Sequence, residues 1–195
     1  MQEDYTPFFL LIKTISTIPE SEWQWLKSNL NKKVYSPGTA LFRQGDCDAG
    51  VHYLESGLVR YYYLTEEGVE RNHTFAAEGN LVGCLPACAG RGVNTFSVEA
   101  IERTYTFKIP GPVYLTLDER HPCWLRFKLR LMEHVALRKE AREATFLLDS
   151  AEVRYQRFLS DYGEVAERIP QYHIASWLGI SPVALSRIRK RINLG

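Results

Sequence analysis

Punctuation divides this chain in two. From Asn31 to Gly111 a glycine recurs roughly every ten residues, whereas the 26 residues from Cys123 to Leu148 contain neither glycine nor proline. Glycine at that spacing stops a chain from building long helices and suits short strands joined by tight turns. The β-prone runs between the turns are Lys33-Val34-Tyr35, Thr39 to Phe42, Val51 to Leu54, Leu58 to Leu64, Val69 to Ala76, Thr95 to Ile101 and Thr104 to Ile109. Many short strands at near-regular spacing predict an antiparallel β-roll or jelly roll. Tyr61-Tyr62-Tyr63 reads as plain strand, since aromatic rings fit a pleated, half-buried surface. A stacking platform for nucleic-acid bases is the alternative.

Helices bracket this block. Phe8 to Ile15 is a short apolar run, and Pro19 with Glu20 and Glu22 opens a second helix carrying Trp23, Leu26 and Leu30 at helical spacing. Val113 to Glu119 reads as a short helix after Pro110-Gly111-Pro112. The uninterrupted stretch from Cys123 spans roughly 40 Å as a helix. Trp124, Leu125, Phe127, Leu129, Leu131, Met132, Val135 and Ala136 cover about half of its circumference, wider than one core contact needs. The economical second surface is the same helix of another subunit, which makes Trp124, Phe127, Leu131 and Val135 dimer contacts; one larger intramolecular core is the alternative. Asp149 as N-cap with Glu152 three residues on then fits a capping box. The chain accordingly divides into residues 1–121, 122–148 and 149–195, an α+β organisation.

The last segment has its own pattern. Ile174, Leu178, Ile180, Leu185 and Ile188 are apolar, and Ala175 is small where two crossing helices must approach. Gly179 falls where the chain must turn left-handed, Ser181 is placed to cap, and Pro182 suits a first helical turn. Together these predict a helix-turn-helix, whose second helix enters the major groove of DNA. On its outward early turns sit Pro182, Val183, Ser186 and Arg187. Arg187 is the residue able to bond guanine O6 and N7 together, while Val183 and Pro182 offer apolar contacts such as a thymine methyl. Ser181, Arg189, Lys190 and Arg191 are placed to hold phosphates, which sets register without reading sequence.

Charge agrees locally. The whole chain carries 24 basic and 23 acidic residues, a net +1 that points to no polyanionic partner. Residues 150–195 hold seven Lys/Arg against four acids, a net +3, and the other 149 residues carry −2. Other classes drop out. No run approaches the 18 apolar residues of a membrane helix, and the acidic start Met1-Gln2-Glu3-Asp4 is unlike a signal peptide, so a cytoplasmic protein with no membrane partner is expected. Cys47, Cys84, Cys88 and Cys123 are too few and scattered for a disulfide scaffold, and Cys84/Cys88 lack further ligands for zinc, so no metal is expected.

A β-roll, a long helix and a helix-turn-helix in this order resemble the cyclic-AMP receptor protein / fumarate–nitrate reductase regulator (Crp/Fnr) family. The local matches are Val34-Tyr35-Ser36-Pro37-Gly38, Gln44-Gly45-Asp46, Ser56-Gly57-Leu58-Val59-Arg60 and Glu78-Gly79-Asn80-Leu81-Val82-Gly83. The resemblance implies a homodimeric transcription factor reading palindromic double-stranded DNA, with RNA polymerase as a further partner. It also places an effector pocket at Gly83, Cys84, Leu85, Arg91, Asn94 and Thr95. There the family's nucleotide-binding members have Glu where this chain has Cys84, and Arg where it has Asn94. An Asn cannot replace Arg as a charged, bidentate phosphate clamp, so cyclic AMP is not the expected effector and the effector is unknown. The long helix lacks the Thr-Ser pair that meets adenine. No cysteine precedes Cys47, so no iron–sulfur cluster is expected either. His52 and His73 read as half-exposed strand residues rather than ligands. The family's Arg-Glu pair at the start of the recognition helix is here Pro182-Val183, which implies a different target sequence. The few residues after Ile188 leave little or no room for a wing.

Other readings remain beside this one: a degenerate sensor acting through protein contacts, a cyclic-nucleotide regulator with a rearranged cassette that recruits Arg91, and a cupin-type metal enzyme. The last lacks a His-x-His ligand set.

Overall fold

The structure, a computed structural model, describes residues 4–48 and 50–192. Met1-Gln2-Glu3 and residues 193–195 lie outside that range, and the expectation of little or no wing, which rests partly on 193–195, lies outside it with them. Helices α1 (Thr6–Ile15) and α2 (Glu20–Ser28) lead into strands β1 (Asn31–Tyr35), β2 (Ala40–Phe42), β3 (Val51–Ser56), β4 (Leu58–Leu64), β5 (Glu70–Ala77) and β6 (Leu81–Val82). A single turn of helix, α3 (Leu85–Cys88), precedes β7 (Ser97–Ala100) and β8 (Thr104–Ile109). Then come α4 (Gly111–Arg120), the long α5 (Pro122–Leu148), α6 (Ala151–Tyr162), a 3-10 segment (Gly163–Arg168), α7 (Gln171–Leu178) and α8 (Pro182–Ile192). Among the described residues no helix is long and apolar enough to cross a membrane.

The strands form two four-stranded antiparallel sheets, in the orders β1-β8-β3-β6 and β2-β7-β4-β5. Leu41, Phe42, Leu54, Val59, Val82, Phe96 and Val98 fill the space between them. The turn from β3 to β4 is built on Gly57, whose φ of +108° is left-handed and whose missing Cβ lets the backbone lie against Thr104. β4 is buried on both faces, so its buried cation needs partners: Arg60, 4% exposed, pairs with Glu70 at 2.7 Å and Glu99 at 2.9 Å and covers the Tyr62 ring.

Three expectations change here. Trp124 and Phe127 are 0% exposed within the chain itself, packed against Phe8, Ile12, Trp23 and Leu26 of the N-terminal helices, with the Trp124 indole donating to Glu22 at 2.8 Å. They belong to an intramolecular core and have no surface left for a second subunit. The sequence showed the wide stripe but not that α1 and α2 fold back over its first turns. Second, the cap of α6 is Ser150, whose hydroxyl accepts from the Val153 amide at 3.3 Å; Asp149 instead ends α5 and pairs with Arg157 at 2.8 Å. A one-residue shift moves the acidic partner of the box out of register. Third, His52 is fully buried, bonded through Nδ1 to Thr106 at 3.2 Å, and burial pushes its pKa down to about 3. β6 and α3 were also not foreseen as separate elements.

Candidate nucleic-acid interface and effector cavity

α7 ends on Gly179, at φ +70° and ψ 30°, in the left-handed conformation that the turn requires. Two amides of the turn close it: Gly179 N–H donates to Ser176 O at 3.1 Å, and Ile180 N–H to Ala175 O at 3.0 Å. Ser181 then caps α8, accepting from the Ala184 amide at 3.2 Å, with Pro182 in the first turn. Leu185 and Ile188 of α8 pack with Ile174, Ala175 and Leu178 of α7, because their 3.6-residue period puts them on one face. The rest of the helix surface carries Pro182, Val183 (62% exposed), Ser186, Arg187, Arg189, Lys190 and Arg191, all exposed. Among the described residues no carboxylate pairs with Arg187, Arg189 or Lys190, while Arg191 lies 3.4 Å from Glu152 of α6.

This pair of helices is docked on the β-roll through polar contacts with β5 that are buried or half-buried. The Asn72 backbone amide donates to the Ser176 hydroxyl at 3.0 Å, and its side-chain amide donates to His173 O at 3.1 Å and His173 Nδ1 at 3.0 Å. Asn72 Oδ1 accepts from Arg60 at 3.2 Å, which fixes the amide orientation. Burial, then the Arg60 charge, lower His173 to about 4, so it stays neutral. The Tyr162 hydroxyl meets the Phe75 amide at 3.2 Å and the Thr74 hydroxyl at 3.0 Å, and Arg168 bridges Glu78 and Glu102. No sequence pattern pointed to Asn72, His173 or Tyr162, since each matters only through a partner far along the chain.

Of the residues expected around an effector, Cys84 and Thr95 are in contact, and the buried ones carry no charge. Cys84 is 1% exposed and its sulfur accepts from the Thr95 amide at 3.3 Å. Asn94 is fully buried, its backbone paired with Gly45 and Asp46, and neither amide atom of its side chain has a hydrogen-bond partner. Gly83 lies against Cys88 and Val51, Leu85 begins α3, and Arg91 is exposed. Burial pushes the Cys88 thiol up to about 12, which leaves it unreactive near neutral pH.

A second set of residues, missed in the sequence, lines the neighbouring strands. Tyr61 and Tyr63 of β4, His73 of β5 and Phe96 have ring centroids 5.5–6.2 Å apart. Burial, together with the charges of Arg142, Lys139 and Arg138 on α5, lowers His73 to about 4. The alternation of Tyr61 and Tyr63 was visible as a shared strand face; the pairing that brings His73 to it was not.

A family model for the cyclic nucleotide-binding domain matches residues 32–121. Over 169 residues the chain is 30% identical to the transcriptional activator protein anr of Pseudomonas aeruginosa, covering 79% of this chain and 67% of that protein. It is 28% identical over 189 residues to the fumarate and nitrate reduction regulatory protein of Vibrio cholerae, covering 90% and 74%. The fold matches that of FixK2 from Bradyrhizobium japonicum, with a TM-score of 0.74 over 85% of each chain at 18% identity. These relatives are transcription regulators, not enzymes, which sets the cupin alternative aside. By sequence and by fold, the chain belongs to the Crp/Fnr family of transcription regulators.

Proposed function

We propose that the protein regulates transcription as a cytoplasmic homodimer that binds palindromic double-stranded DNA, with α8 in the major groove. In this reading residues 1–121 sense, 122–148 dimerise and 149–195 bind DNA. The observation that carries it is that Pro182, Val183, Ser186 and Arg187 are exposed together on the early turns of α8 while Leu185 and Ile188 are buried. Arg187 reads a guanine, Ser186 hydrogen-bonds a base edge, and Pro182 and Val183 make apolar contacts. Arg189, Lys190 and the Ser181 end of the helix hold phosphates, as does Arg191 once it exchanges Glu152 for DNA. Exposed Leu125, Leu129 and Leu137 on α5, next to half-buried Leu131 and Val135, supply the dimer seam in place of Trp124 and Phe127. RNA polymerase is the further partner such a regulator engages.

The effector is a molecule other than a cyclic nucleotide. The position that would neutralise a cyclic phosphate is Asn94, buried and uncharged, and the position that would bond a ribose is Cys84, its sulfur already engaged by Thr95. Burying a phosphate without a paired cation is costly, and Arg91 is exposed to solvent.

Selection from random oligonucleotides is expected to return a two-fold palindrome; binding that stays non-specific and vanishes at moderate salt would overturn the regulator reading. Native mass spectrometry of the purified protein is expected to show no cyclic nucleotide. A stoichiometric one would overturn the assignment of Asn94 and Cys84.

A further inference from the structure

The C-terminal end of α7 is completed by residues from outside the helix pair. A helix leaves its last four carbonyls without intrahelical partners. Here the turn itself satisfies two of them, Ala175 O and Ser176 O, through the amides of Ile180 and Gly179. The other two are taken by arginines. Arg142 of α5 donates to Trp177 O at 2.8 Å, and Arg154 of α6 donates to Leu178 O at 3.0 Å. Both cations sit at the negative end of the helix dipole, where positive charge is favoured.

The aromatic contacts repeat the pattern. The Arg142 guanidinium lies 3.8 Å from the Trp177 ring centroid, and Arg154 lies 4.9 Å from that of Phe146. The Phe146 ring itself covers Gly179, where its edge stands 3.1 Å from where a Cβ would be. Arg154 also donates to Asp149 O at 2.9 Å, so one side chain ties the junction of α5 and α6 to the turn. A planar guanidinium with several fixed donors suits such a clamp, because it bonds in its plane and stacks on its face.

We propose that Arg142 and Arg154 are positioning residues that lock the helix-turn-helix to the long helix. The turn is fully bonded in one orientation of the two modules, since any rotation of α7 away from α5 strips Trp177 O of its donor. The angle at which α8 is presented therefore follows the C-terminal half of α5. This consequence for DNA rests on the proposed function; the clamp does not.

The test has two arms, both on the full chain. Without DNA, hydrogen exchange at the Gly179 and Ile180 amides is expected to speed up at least tenfold in Arg142→Gln, with amides of β3 and β8 unchanged. Arg154→Gln is the independent second variant, and serves alone if the first does not fold. Rates within twofold of the unchanged protein overturn the clamp. With DNA, palindromes with varied half-site spacing are compared. A tenfold preference of the unchanged protein for its best spacer is expected to fall to threefold or less in the variants, with affinity for a single half-site kept within twofold. An equal loss on half-site and palindrome would mean a merely structural role and overturn the positioning claim. If the unchanged protein selects no palindrome, the DNA-binding reading fails, and the exchange arm still decides the clamp.

Discussion

Individual side chains matter here chiefly through what their surroundings forbid. His173 Nδ1 must accept from the Asn72 amide, whose other atom is committed to Arg60; a proton on Nδ1 would set donor against donor. His52 is buried with Nε2 unpartnered, and both histidines are held well below the unfolded value of 6.5, at about 4 and about 3. Unfolding therefore takes up protons below pH 6.5. Their stabilising contribution is complete above that pH and is lost as pH falls toward 4. Each is expected to cost up to about 2 kcal/mol between pH 6.5 and 5. Urea unfolding midpoints at pH 7 and pH 5 check this, and an unchanged midpoint would contradict it. On the exposed face of α8, Arg187→Ala is expected to lose about 1–3 kcal/mol and relax preference at one base pair, whereas Lys190→Ala weakens all sequences alike and lowers the salt slope by about one. Competition binding on matched and random duplexes separates the two. Arg187 was legible in the sequence because helical period alone exposes it. Asn72 and His173 were not, because a buried polar side chain is significant only once its partner, some hundred residues away, is placed.

Elements show the same division. Gly179 was legible as the turn, since the apolar spacing on either side demanded a left-handed residue between. Gly179→Ala is expected to cost about 1–2 kcal/mol, from the left-handed backbone, with the flexible edge of Phe146 giving way. Gly57→Ala is expected to be worse, above about 3 kcal/mol, because its Cβ would stand 2.7 Å from the Thr104 Cα and 2.9 Å from Arg103 O, neither of which yields cheaply. Thermal unfolding followed by tryptophan fluorescence ranks them. The cap of α6 lies one residue beyond the position the sequence suggests, as Asp149 and Ser150 are both good caps and only the backbone path decides between them. The first turns of the wide stripe on α5 are covered by α1 and α2 of the same chain. Hydrophobic spacing says that a face is buried and is silent on what buries it.

At the scale of the molecule, three apolar clusters run through the described residues: one under the N-terminal helices, one between the sheets, and one joining β5 to the helix-turn-helix. The third makes the C-terminal module continuous with the β-roll, so residues 149–195 do not hang from α5 alone. Along α5, Leu125, Leu129 (57% exposed) and Leu137 (60% exposed) stay open, and at its end so do Phe146, Leu147 and Leu148. Leu129→Glu is expected to convert the proposed dimer to a monomer in sedimentation velocity, and to weaken palindrome binding at least tenfold while sparing single half-site affinity. A dimer that persists would move the seam elsewhere.

Local chemistry settled the order of strands, long helix and helix-turn-helix. Turn residues, capping residues and hydrophobic period act over a few positions, and the positive charge near the C-terminus is a local sum. The tertiary structure decided which partner each buried group has: Trp124 meets Phe8 rather than a second subunit, Asn94 is sealed in rather than lining an open anion site, and His73 joins Tyr61 and Tyr63 under the cations of α5. The physical reason is range. Backbone preference is set by neighbours in sequence, while burial, charge pairing and pKa are set by neighbours in space.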